Sequence, residues 1–121
     1  MTPWSYLTHE PSAVKGQIGP KTHARIFELL LRLRANSFWP AMHECSVAFY
    51  LTPGNREMAD KYGIFVGSSH CEPMVRNTNA EWKIAGEGTY DYVNNRQQVL
   101  QFWEERVREL AKSDNIYTLG I

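Results

Sequence analysis

The sequence predicts an α/β fold built from parallel strands, and one that is a piece of a larger architecture. Three observations carry this. Segments of helical and strand period alternate along the chain. The run Ile64-Phe65-Val66 is apolar without alternation, as in strands covered on both faces. The alternation begins without a first strand and stops without a closing helix, so a three-stranded sheet would keep two raw edges.

Residues 1–19 hold Pro3, Pro11, Gly16 and Gly19 among few periodic apolar positions, and read as an irregular lead-in. Pro20 suits a first helical turn, and "KTHARIFELLLRLRA" continues as a helix. Arg25, Glu28 and Arg32 form one narrow polar stripe. Apolar side chains take most of the remaining circumference, so this helix is expected to be covered on several sides. "NSFWPAM" reads as a short strand ended by Pro40. "NREMADKYG" reads as a short helix with Asn55 as cap, a Glu57–Lys61 pair across one turn, and Gly63 as stop. "IFVGSS" is the second strand. A loop rich in Asn and Gly leads to "NNRQQVLQFWEERVRELAK", the strongest helix, with Leu100, Trp103, Val107 and Leu110 spaced along one face. "NIYTLGI" begins a third buried strand. Parallel neighbours in such an order need right-handed crossovers.

Acidic and basic residues balance at 13 each, which gives no electrostatic pull toward nucleic acid or an anionic membrane. No apolar run approaches the roughly 20 residues that cross a bilayer. The start, Met1-Thr2-Pro3-Trp4, lacks a signal peptide's basic and apolar regions. Aromatic residues make up 12% of the chain, which suits a flat-ligand site but on composition alone favours a dense core. Cys45 and Cys71 are the only thiols, too few for a disulfide framework and without a C-x-x-C pair.

In α/β folds, reactive groups gather where strands end. The first strand end offers Trp39, Met42, His43, Glu44 and Cys45. The second, "GSSHCEPM", offers His70, Cys71 and Glu72, with Arg76 and Asn77 just beyond. A zinc site using His43 and His70 is one reading, though adjacent residues on an extended segment point apart, so His70 and Cys71 poorly share one ion. A Cys71–His43 nucleophilic pair is another, but Pro73 blocks the helix start that would come next. Mutual satisfaction of polar groups at a strand end is a third. A carboxylate acting on a sugar, oriented by His and Arg, is the fourth.

"FELLLRLRANSFWPAM", "NREMADKYGI", "GSSHCEPMVRN" and "AEW", in this order and spacing, resemble the catalytic domain of glycoside hydrolase family 115. The likeness runs from about Gly19 to Ile121, with a similar segment at Thr2-Pro3-Trp4. It thins around residues 43–50, where many relatives carry a more acidic loop. The resemblance implies that the fold is part of a (β/α)₈ barrel, about three consecutive βα units, with residues 1–121 a fragment of that domain. The activity it implies is that of an inverting α-glucuronidase releasing glucuronic acid, or its 4-O-methyl form, from xylan, with no metal or other cofactor. The fragment alone would be inactive, since the family places further acidic segments on either side of it. By the same resemblance Glu72 would be the catalytic carboxylate, as acid, base or ligand of a sugar hydroxyl. His70 would contact the sugar or Glu72. Arg76 would either pair with the substrate carboxylate or form a buried ion pair. Trp39 and Met42 would wall the pocket, with His43, Glu44 and Asn77 as further substrate contacts.

Partners would be xylan or another glucuronic-acid-bearing oligosaccharide and the rest of the parent polypeptide, with a homodimer left open and neither nucleic acid nor membrane involved. The compartment would be periplasmic or extracellular. The alternatives are a non-catalytic carbohydrate-binding relative and a small zinc or thiol enzyme.

Overall fold

The computed structural model describes residues 17–43 and 46–120. The lead-in, apart from residues 17–19, together with Glu44, Cys45 and Ile121, lies outside the described residues.

Helix α1 spans Pro20–Arg32 with Pro20 in its first turn. Glu28 pairs with Arg32 at 3.0 Å and with Arg25 at 3.9 Å, as the polar stripe predicts. The helix closes on Arg34 at φ 62°, with Arg34 N bonded to Leu31 O and Ala35 N to Leu30 O. That is a Schellman ending with arginine where glycine is usual. The expected cover on several sides is only partial among the described residues. His23 and Phe27 are buried, Ile26 and Leu30 pack beside the core, and Leu29, Leu31 and Leu33 are exposed.

Strands β1 (Ser37–Phe38) and β2 (Phe65–Val66) pair in parallel, with Ser37 opposite Phe65 and Phe38 opposite Val66. Both are shorter than their apolar runs. Phe65 is 36% exposed between buried Ile64 and Val66, so β2 keeps one face partly open instead of being covered on both. The third strand is reduced to a parallel bridge, Val66 to Asn115, and Ile116 and Leu119 are exposed rather than buried. The order is still that of a parallel sheet centred on β2.

Helix α2 spans Asn55–Tyr62 and ends at Gly63, φ 65°, as its sequence predicts. Its start differs. Gly54 is the cap residue, at φ 91°; a Cβ there would also come within 2.9 Å of Pro20, so glycine is required twice over. Asn55 is the first helical residue and fully buried. Its Nδ2 donates to Ile18 O at 3.0 Å and Phe49 O at 3.1 Å. Its Oδ1 lies 3.1 Å from His23 Nδ1, which also meets Gly19 O at 3.0 Å. Both oxygens are acceptors, so Nδ1 carries the proton. Glu57 pairs with Arg56 at 3.7 Å instead of with Lys61.

The segment read as loop contains a helix, α3 (Thr78–Ala85), capped by Asn77. Helix α4 spans Arg96–Glu109 and buries Val99, Phe102 and Arg106. Its inward face is therefore turned from the expected one. Leu110 is buried, while Leu100, Trp103 and Val107 line a shallow apolar groove with Met74. The cause is Arg106, a charged side chain drawn inward by a buried carboxylate. Phe27, Phe49, Ala59, Ile64, Val66, Val75 and Leu110 form the core. Among the described residues no helix is long and apolar enough to cross a membrane.

Asn55→Ala leaves the Ile18 and Phe49 carbonyls without their donor, and is expected to lower stability by about 1–3 kcal/mol in denaturant titration. A second expectation concerns alkaline pH. Burial pushes the Tyr50 hydroxyl above its ordinary 10.0, against the pull of Asn115 and Arg106. A raised folded value means this contribution is complete below 10.0 and is lost as pH rises beyond it. Tyr50→Phe is therefore expected to flatten the alkaline limb of the stability–pH curve. Tyr117, also raised by burial, should supply the slope that remains.

Candidate functional site

The ends of β1, β2 and the bridging segment at Asn115 meet on one side of the sheet. Two contacts hold them together. A Cβ on Gly67 would lie 3.0 Å from Trp39 Nε1, so the indole of the first strand end rests directly over the second. Thr118 Oγ1 donates to Ser68 O at 2.8 Å, and Met74 N donates to Thr118 O at 2.8 Å, which ties the third segment to both sides of the Ser68–Met74 turn.

That turn is closed at its base. Ser68 Oγ donates to Glu72 O at 2.6 Å, and Glu72 N to Ser69 O at 3.0 Å. His70 and Cys71 therefore project from its tip, both exposed. Trp39 is 63% exposed, Met42 half-buried and His43 exposed. These residues share the strand-end side that the sequence assigns to substrate. Glu44 lies outside the described residues.

Glu72 is placed differently. It is only 5% exposed, and its Oε2 accepts the Thr78 N–H at 2.7 Å. It thus satisfies one of the orphan amides at the start of α3, where the helix dipole favours a negative group. Asn77 is buried as well; its Oδ1 accepts Ala80 N at 3.3 Å. Its Nδ2 and the neighbouring Thr78 Oγ1 are buried without a hydrogen bond among the described residues.

Arg76 forms the buried ion pair that the sequence allowed as an alternative to meeting a substrate carboxylate. Its Nη1 bonds Glu81 at 3.1 Å and its Nε donates to Phe102 O at 2.9 Å. Nη2 faces Glu105 at 3.7 Å, and the guanidinium lies 4.0 Å from the Phe102 ring centre. Burial, with Arg106 close by, shifts Arg76 below its ordinary value, while Glu81 opposes the shift. Arg106 Nη2 also bonds Glu81, and its Nη1 donates to Val75 O at 2.7 Å. Asn77 N donates to the same carboxylate.

Glu81 is the carboxylate of the "AEW" block, where the sequence reading assigns it no role, and Arg106 lies in none of the motifs. The available signal was periodicity, for Arg106 falls on the stripe of Val99 and Phe102. Between Glu72 and Arg76 the backbone is strained: Met74 and Val75 sit at φ 57° and 56°, each costing about 1–3 kcal/mol for a side-chain-bearing residue. Among the described residues no three of His, Cys, Asp and Glu converge as metal ligands.

The model for glycosyl hydrolase family 115 matches residues 1–121. A solved structure described as a family GH115 4-O-methyl-α-glucuronidase with specificity for decorated arabinogalactans is 66% identical, with a TM-score of 0.91. The alignment covers 98% of this chain and 16% of that one, so the present sequence spans a small part of that protein. No curated protein matches the chain.

Proposed function

The chain belongs to glycoside hydrolase family 115, and from that premise we propose that it forms part of the catalytic (β/α)₈ barrel of an inverting α-glucuronidase. The observation that carries this is the 66% identity over 98% of the chain to a 4-O-methyl-α-glucuronidase. Residues 1–121 are read as about three βα units of the barrel, with 1–19 as the lead-in. The parallel β1–β2 pair and the Val66–Asn115 bridge support that assignment.

The substrate class we infer is a glycan bearing terminal glucuronic acid or its 4-O-methyl ether. Xylan is the backbone the sequence suggests, and the solved relative's specificity adds decorated arabinogalactan. Such polymers are too large to enter a cell, which supports a periplasmic or extracellular site of action. The reaction needs no cofactor: one carboxylic acid protonates the leaving oxygen and a second activates water, about 6.5–9.5 Å apart.

This chain contributes one wall of that site. Trp39 and Met42 offer apolar surface to a sugar face, and His70 and His43 offer hydrogen bonds from exposed positions. Glu72 and Asn77 back this wall. Burial of Glu72 on the Thr78 amide favours a holding role for it over direct proton transfer, and Arg76 holds the same turn through Glu81.

Three outcomes test this in the full-length polypeptide. Wild type should release the uronic acid from at least one of the two glycans; release from neither would remove the reading. Glu72→Gln keeps an acceptor for Thr78 N–H, and should lose less than about tenfold in kcat. A loss of about 10²–10⁴-fold with folding intact would instead make Glu72 the acid or base. His70→Ala should lower kcat/KM about tenfold, as removal of one hydrogen bond of about 1.4 kcal/mol would. The isolated 121-residue chain should release none.

A further inference from the structure

Arg106 sits on α4, in none of the strand-end segments, yet it grips the segment that carries the proposed sugar-binding wall. We propose that Arg106 is a positioning residue: with Glu81 it clamps the strained Met74–Val75 turn and thereby sets where Glu72 and His70 stand. The inference rests on the functional reading above, since it assigns a remote residue to the same site.

The path is short and each step is a contact. Arg106, 2% exposed, donates from Nη1 to Val75 O at 2.7 Å and binds Glu81 through Nη2. Its Nε meets Glu109 at 3.1 Å, and its guanidinium lies 4.4 Å from the Tyr50 ring centre, so the group itself is fixed from several sides. Glu81 accepts Asn77 N and Arg76 Nη1. Three consecutive residues, Val75 to Asn77, are thus pinned to one buried charge cluster. The first of them and the residue before it hold positive φ, Val75 at 56° and Met74 at 57°, a conformation that valine and methionine rarely adopt unaided. Left to itself this stretch would relax toward ordinary backbone, because such strain persists only where surrounding contacts over-determine it.

Relaxation would be felt at the site because the turn is closed at both ends. Glu72 Oε2 is bonded to Thr78 N, one residue past the clamp, and Glu72 O to Ser68 Oγ. A shift at Val75 therefore moves the base of the turn from which His70 projects. The sugar would still find the apolar surface of Trp39, so the loss should fall on turnover more than on binding.

The test uses the full-length polypeptide. Arg106→Lys keeps the charge but loses the fork, and should lower kcat at least tenfold with KM changed less than about threefold. Adding Met74→Gly removes the penalty on positive φ, and should return at least a threefold part of kcat. A role in packing alone would show no such rescue. Glu81→Gln should give the same kcat-weighted loss, and serves as the deciding variant if Arg106→Lys does not fold. Unchanged kcat in folded Glu81→Gln or Arg106→Lys, or loss without rescue by Met74→Gly, would overturn the clamp. If wild type releases no uronic acid, the functional reading fails on its own. The clamp is then judged by hydrogen exchange at the Thr78 amide, which should speed up in Arg106→Lys and slow again in the double variant. Equal exchange in all three would sink it.

Discussion

The Glu81 carboxylate, almost wholly removed from solvent, is the point on which the C-terminal half of the chain depends. Arg76 and Arg106 both reach it, and the backbone amide of Asn77 completes the set. A buried carboxylate with one guanidinium would still leave lone pairs unsatisfied, and with none it would cost several kcal/mol. Here the excess positive charge is met in turn by Glu105 and Glu109 from the same helix that supplies Arg106. Both guanidiniums also lie over aromatic rings, those of Phe102 and Tyr50. The cluster joins α3, α4 and the turn after β2, beside the edge-on contact of Trp82 with Phe102. Replacing a fully bonded pair with apolar residues can be neutral, whereas removing one partner typically costs about 3–5 kcal/mol.

The N-terminal half is organised by a neutral counterpart. Asn55 and His23 satisfy carbonyls from Ile18, Gly19 and Phe49, inside a nest of Phe27, Phe38 and Phe49 rings. In both halves a polar group deep in the structure fixes backbone that carries no regular hydrogen-bond ladder. That need arises from the brevity of the strands. With two residues in each of β1 and β2, the sheet itself satisfies few of the buried amides and carbonyls around it. The side chains take over that task.

This division of labour explains how the strand-end wall is built. Trp39, His43 and His70 meet solvent there. Glu72, Arg76 and Asn77 lie behind them and are committed to α3 and Glu81. Residues of similar chemistry in one short motif therefore stand at two depths, exposed or bonded into the turn.

Much of the skeleton was legible. The Pro20 start of α1, the Glu28 pairs, the Gly63 stop and the span of α4 come from local rules of period, capping and charge spacing. So did the parallel order, and the family motifs pointed to the right family. What local pattern could not supply was anything set by a distant partner. Helix α3 was hidden because its stretch is short and lies among Asn and Gly, and its first turn is met by Asn77, Glu72 and Glu81. The inward face of α4 was misjudged because a charged Arg106 is assigned to solvent by any rule of hydrophobic period. Asn55 was placed as a cap for the same reason, being polar, when its amide is needed by carbonyls far along the chain. The sequence alone determined the spans of α1, α2 and α4, the turns that bound them and which chemistry stands near the strand ends. Tertiary structure decided which polar groups go inside, because burying a charge or an amide is settled only by the partners that folding brings to it.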